Sequence, residues 1–173
     1  KLLNYCTIAV KQFIELMVEA GADMVSNGDS PAGPELVSRD MYLKYAFPFE
    51  EQIIDYAHQK GVKYALHICG DTELILEDMI GTGADALELD YKTDIRKVHE
   101  FCSDKIVFIG NLDPSGVLAN GTEDLVREKT SDLLEIYRTS NRFILNAGCA
   151  IPPTTPEKNI FTMIKTAREF KKQ

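Results

Sequence analysis

Positive charge is scarce in this chain. Its 173 residues carry 19 Lys and Arg against 27 Asp and Glu, a formal net charge of −8. Such an acidic balance offers no broad surface for phosphate, so nucleic acid is excluded as an expected partner. Cysteine is sparse too, and 4 thiols over this length do not build a disulfide framework. No stretch has the form of a secretory signal, and a reducing, cytoplasmic setting is the expectation. Tryptophan is absent. No apolar run approaches the roughly 18 residues of a membrane span, so no membrane partner is expected. Low-complexity tracts, internal repeats and linker-like boundaries are missing, and the chain reads as a single domain over 1–173. With 45% hydrophobic and 27% charged residues, what remains is an ordinary globular composition able to bury a sizeable core.

The hydrophobic pattern alternates between helical and extended periods. Residues 3–20 place Cys6, Val10, Phe13, Met17 and Ala20 at three- and four-residue spacing, an amphipathic helix that Gly21 ends. A strand is expected over 22–27, a Pro- and Gly-rich loop over 28–34, and helices over 35–46 and 49–59. The run KYALHI, 63–68, reads as a strand, after which Asp71 or Thr72 can cap a helix through Ile80. A strand over 84–90, a helix over 94–102 and an apolar strand over 106–110 follow, the last of the kind buried on both faces. Thr122 caps a long helix to about Arg138, 142–146 is the last strand, and Thr155 and Pro156 sit at N-cap and N1 of a terminal helix reaching Phe170.

No turn between strands is short enough for a hairpin, so the five strands imply a parallel sheet with right-handed crossovers. No G-x-G-x-x-G follows a strand, which weighs against a dinucleotide-binding open sheet. The chemically distinctive residues fall at or just after strand ends: Asn27 and Asp29, His67 and Cys69, Asp90, Asn111 and Asp113, and Cys149. In a barrel these ends share one face, where active sites lie. The expected fold is α/β, the C-terminal part (about five β/α units) of a TIM (β/α)8 barrel. Five strands do not close a barrel of eight, so about three more are expected upstream. Were the chain the whole molecule, its open sheet edges would drive self-association or partial disorder.

His67-Ile68-Cys69 is the sharpest local feature. Alternate strand residues point the same way, so His67 and Cys69 face the barrel mouth together. Cys149 follows the last strand, and barrel closure can bring it to the same place. One imidazole and two thiolates suit Zn²⁺, and soft sulfur donors argue against Mg²⁺ or Ca²⁺. Three protein donors with an exchangeable fourth position is the catalytic pattern. That fourth donor is water or a carboxylate. Asp90, ending the next strand, is the best carboxylate candidate, and Glu88 shares its face but lies deeper. Asp90 alternatively orients a ligand. Asn111 and Asp113 either face substrate or fix their loop, and Asp29 either lines the mouth or forms a turn. Cys6 and Cys102 lie in helical patterns and read as core; His58 and His99 read as surface or boundary residues.

The segment FIGNLDP at 108–114 resembles the G-N-[LI]-D-P stretch of the uroporphyrinogen decarboxylase superfamily, as does NAGCAIPPTTPEKN at 146–159. The H-x-C of His67 and Cys69 with the late Gly148-Cys149 resembles the cobamide-dependent methyltransferase branch, the methylcobalamin:coenzyme M type. The decarboxylases have His at the position of Cys149 and lack the H-x-C. The resemblance implies a barrel of about 340 residues, within the range such barrels span. It implies a zinc site of His67, Cys69 and Cys149, with a carboxylate fourth ligand falling on Asp90. It implies methyl transfer from methylcobalamin on a separate corrinoid protein to a small thiol such as coenzyme M. Two alternatives accompany it. A decarboxylase-like lyase would want arginines at the mouth, and the arginines here fall mainly on helices or loops. A non-catalytic zinc-binding relative would keep the donors without the reaction.

Overall fold

The computed structural model describes residues 1–102 and 105–170. Five parallel strands lie in chain order β1-β2-β3-β4-β5: β1 (Met24–Gly28), β2 (Lys63–Ile68), β3 (Ala86–Leu89), β4 (Val107–Leu112) and β5 (Phe143–Ala147). Helices precede, separate and follow them: α1 (Leu2–Glu19), α2 (Arg39–Tyr45), α3 (Phe47–Gln59), α4 (Leu76–Gly81), α5 (Ile95–Cys102), α6 (Glu123–Ile136) and α7 (Glu157–Glu169). This is the α/β barrel-type arrangement expected from the alternating pattern.

The period of two sorts each strand. Tyr64, Leu66, Ile68, Leu87, Leu89 and Phe108 face the helices and belong to one buried core. Each such side chain contributes about 1.5–3 kcal/mol on burial. Tyr137, just past α6, stacks between Phe108 (5.5 Å between centroids) and Phe143 (4.4 Å). The alternate set, Ala65, His67, Ala86, Glu88, Ile109, Ile144 and Asn146, shares the opposite face. Register aligns His67 with both Gly28 and Glu88, and Asn111 with Asn146.

Local chemistry accounts for several element ends. Gly21 ends α1 with φ 90°, a left-handed turn in which its N–H and that of Ala22 reach Val18 and Met17 carbonyls. Ser38 and Thr122 accept from the backbone N–H groups of Met41 and Leu125 and start α2 and α6. Several expectations need correction. The segment 35–46 is helical only from Arg39, because Ser38 is its cap. Of Asp71 and Thr72, Asp71 is the one whose side chain caps, its Oδ1 accepting from Glu73 N–H at 3.0 Å; the Thr72 hydroxyl bonds Thr93 (3.0 Å), and a 3-10 turn, Glu73–Ile75, precedes α4 in place of a continuous helix. Pro156, not Thr155, is the N-cap of α7. A π-helical turn, Pro114–Ala119, follows β4, where none was expected. Cys102 is core, but Cys6 is exposed.

α1 buries only Thr7 and Ile14 among its 18 residues. Tyr5, Phe13 and Leu16 are 73%, 62% and 61% exposed, and Ile144 on the inner face of β5 is 49% exposed. No described helix is long and apolar enough to cross a membrane.

Candidate metal centre

β2 delivers His67 at its penultimate position and releases Cys69 just beyond its end. Gly148-Cys149 follow β5. Gly148 must be small, since a Cβ there would lie 2.4 Å from the backbone nitrogen of Tyr91. That close approach carries Cys149 in over the ends of the strands. His67 Nε2 lies 3.0 Å from Cys69 Sγ, and the two sulfurs are 3.5 Å apart. One donor atom from each of the three residues falls within 4.8 Å of the others, and all three side chains are half-buried. Tetrahedral zinc with bonds of about 2.3 Å to sulfur sets two sulfurs roughly 3.8 Å apart. The donor set and its spacing therefore fit such an ion. Burial and the facing Cys69 thiol push the Cys149 thiol pKa up, an effect that coordination to a cation reverses.

The second nitrogen of the imidazole turns the other way. His67 Nδ1 is 3.0 Å from the main-chain oxygen of Glu88 and 3.5 Å from its Oε2. Asn146 Nδ2 donates to Glu88 Oε1 at 2.7 Å.

The remaining expected residues sit around this cluster. Asp90 is outside it. Its side chain is buried, with Oδ2 accepting from Gly70 N–H (2.9 Å) and Oδ1 from Lys92 N–H (3.2 Å), so both oxygens tie down the loops after β2 and β3. Asn111 is buried and donates from Nδ2 to the Asp90 and Thr93 carbonyls at 3.2 and 3.1 Å. Asp113 Oδ1 accepts from Ser115 and Gly116 N–H at 2.9 and 2.8 Å, capping the π-helical turn. Of the two roles open to Asn111 and Asp113, the structure supplies the loop-fixing one, and both border a cleft between α5 and α6.

Asp29 lies beside the centre, its N–H donating to the His67 carbonyl at 2.8 Å. Burial raises its carboxyl pKa, and it lies beside Glu50. Glu50, 4% exposed, is pushed up to about 7, chiefly by burial and further by the Asp29 charge. Tyr42 Oη donates to Glu50 Oε2 at 2.6 Å, whereas Oε1 is buried without a donor. Sequence reasoning did not find Glu50 or Tyr42, which sit on helices with no motif around them. Asn146 was also missed, although its position two residues after Ile144 puts it on the inner face.

A barrel-type α/β unit with one imidazole and two thiols gathered at its strand ends is the class that fold and site define. The family model for uroporphyrinogen decarboxylase (URO-D) matches residues 1–170, and the chain belongs to that family. It is 34% identical over 170 residues to the methylcobamide:CoM methyltransferase MtbA of Methanosarcina acetivorans, covering 98% of this chain and 49% of the relative. It is 30% identical over 172 residues to a uroporphyrinogen decarboxylase of Prochlorococcus marinus, covering 98% and 48%. The solved structure of a methyltransferase from Methanosarcina mazei superposes with a TM-score of 0.86 at 28% identity, over 95% of this chain and 47% of that one. The chain thus spans about half the length of these relatives. Its likeness takes in the methyltransferase branch that the H-x-C and G-C motifs indicate.

Proposed function

We propose that the protein moves a methyl group from a methylated corrinoid, carried by a separate corrinoid protein, to a small thiol such as coenzyme M. His67, Cys69 and Cys149 would hold a zinc ion for this. The convergence of those three donors carries the reading, and the names of the methyltransferase relatives support it. A bound zinc ion supplies one thing: it converts the substrate thiol, mostly protonated near neutral pH, into a thiolate.

Cys69 and Cys149 contribute two negative charges and neutral His67 none, which balances a divalent ion and leaves a position for substrate. Asp90 holds the loop that carries Cys69, and Asn111 and the capping Asp113 fix the neighbouring loops after β3 and β4. Asp29 flanks the mouth beside His67, its carboxyl pKa raised by burial. In the transfer the carbon–cobalt bond breaks with its electron pair left on cobalt. The sulfur–carbon bond forms, and the thiol proton leaves to solvent. Neither a nucleic acid nor a membrane enters the scheme, and the cytoplasm suits the reduced thiols.

Three of the arginines that a lyase would want at the mouth are engaged elsewhere. Arg39 pairs with Asp78, Arg127 with Asp124 and Arg138, just past α6, with Glu135. Zinc content and thiol-dependent demethylation of methylcobalamin, measured on the full-length protein, test the proposal. About one zinc per chain, lost in both Cys69→Ala and Cys149→Ala together with activity, is the expected result. Undiminished zinc in both variants refutes the donor set. Zinc without demethylation leaves a non-catalytic binding relative.

A further inference from the structure

Glu88 is placed where no ligand role uses it. It stands on β3 in register with His67 on β2, on the same face of the sheet. His67 Nε2 points at Cys69 Sγ, so the nitrogen available to a metal is Nε2. Nδ1 faces the main-chain oxygen of Glu88 at 3.0 Å and its carboxylate at 3.5 Å. Both partners accept and neither donates, which requires the proton to sit on Nδ1 and frees the Nε2 lone pair. The carboxylate is itself held. Asn146, reaching across from β5, donates to its other oxygen at 2.7 Å. Three strands therefore contribute to a single chain of contacts, Asn146 to Glu88 to His67.

We infer that Glu88, clamped by Asn146, is a positioning residue for the metal centre. It fixes His67 as the Nδ1–H tautomer and strengthens Nε2 as a donor, as carboxylates behind metal-bound imidazoles do. This rests on the reading of His67, Cys69 and Cys149 as metal ligands. The main-chain oxygen of residue 88 gives direction to the ring whatever the side chain; the carboxylate adds negative charge behind it. Glu88→Gln removes the charge and keeps the shape. Asn146→Ala keeps the charge and removes the clamp.

The test is a zinc competition titration against a chelator on full-length wild type and both variants. X-ray absorption at the zinc edge and ¹⁵N shifts of the His67 imidazole accompany it. Wild type is expected to bind one zinc with His67 as the Nδ1–H tautomer. Glu88→Gln should bind about 10–100-fold more weakly with the metal's nearest-neighbour shell unchanged. Asn146→Ala should show a smaller loss in the same direction. Unaltered affinity and tautomer in Glu88→Gln overturn the inference while leaving the donor set standing. Loss of an oxygen neighbour from the zinc shell in Glu88→Gln overturns it too, by making Glu88 a ligand. A wild type that takes up no zinc overturns the donor set, and this inference with it.

Discussion

Glu50 and Asn111 are buried polar residues with opposite energetics. Asn111 is satisfied, its amide donating to two loop carbonyls. Asn111→Ala leaves both carbonyls short of a donor and should cost about 1–3 kcal/mol in urea unfolding, with zinc content retained. Loss of activity without loss of stability would instead make Asn111 a substrate contact. Glu50 is buried with a carboxyl pushed up to about 7 from an ordinary 4.5. The folded state then holds a proton that the unfolded chain releases, so between those values stability falls as pH rises, and above about 7 the penalty is complete. Glu50→Gln should remove roughly 1–3 kcal/mol of that decline when unfolding is compared at pH 5 and 7.5. An unchanged pH dependence would show that Glu50 ionises freely. The contrast explains what was legible at this scale. His67, Cys69 and Cys149 are readable because strand alternation and strand ends place them without any knowledge of neighbours. Glu88 behind His67, Asn146 behind Glu88 and Tyr42 beside Glu50 depend on cross-strand register and helix docking, which no single segment encodes.

Element boundaries follow local capping chemistry, and where that chemistry competes with tertiary partners the expectation fails. Gly21 and Thr122 act as their sequence context implies. Thr72 does not, because Thr93 takes its hydroxyl. The π-helical turn after β4 was invisible because Asp-Pro reads equally well as an ordinary turn. Asp113 caps that turn with one oxygen bonded to two backbone N–H groups. Asp113→Ala should cost about 1 kcal/mol of stability, while Asp113→Asn, which keeps an acceptor, should cost far less. If Asp113→Asn abolishes methyl transfer yet melts normally, Asp113 acts on substrate and the capping role is secondary.

On the scale of the molecule, the alternation of strands and helices was enough to indicate a parallel barrel-type sheet. The degree of its curvature was not, because that arises from packing between helices and sheet. The apolar residues left uncovered on α1, with Ile144 on the inner face, describe a surface suited to burial. The 173-residue polypeptide on its own should therefore self-associate in gel filtration and bind a hydrophobic dye. A compact monomer that ignores the dye would contradict this. The contact between Cys69 and Cys149 bears on the curvature directly. They are 80 positions apart in the chain, at the ends of β2 and β5. Three strand spacings in a flat sheet would separate those strands by about 14 Å. Sulfurs 3.5 Å apart mean that the sheet and its following loops arch over the gap. An ion seated there would be a clasp across the arch, its binding energy holding the arch closed. Stripping it with a chelator should lower the melting temperature and loosen amide protection in β2 and β5 ahead of the outer helices.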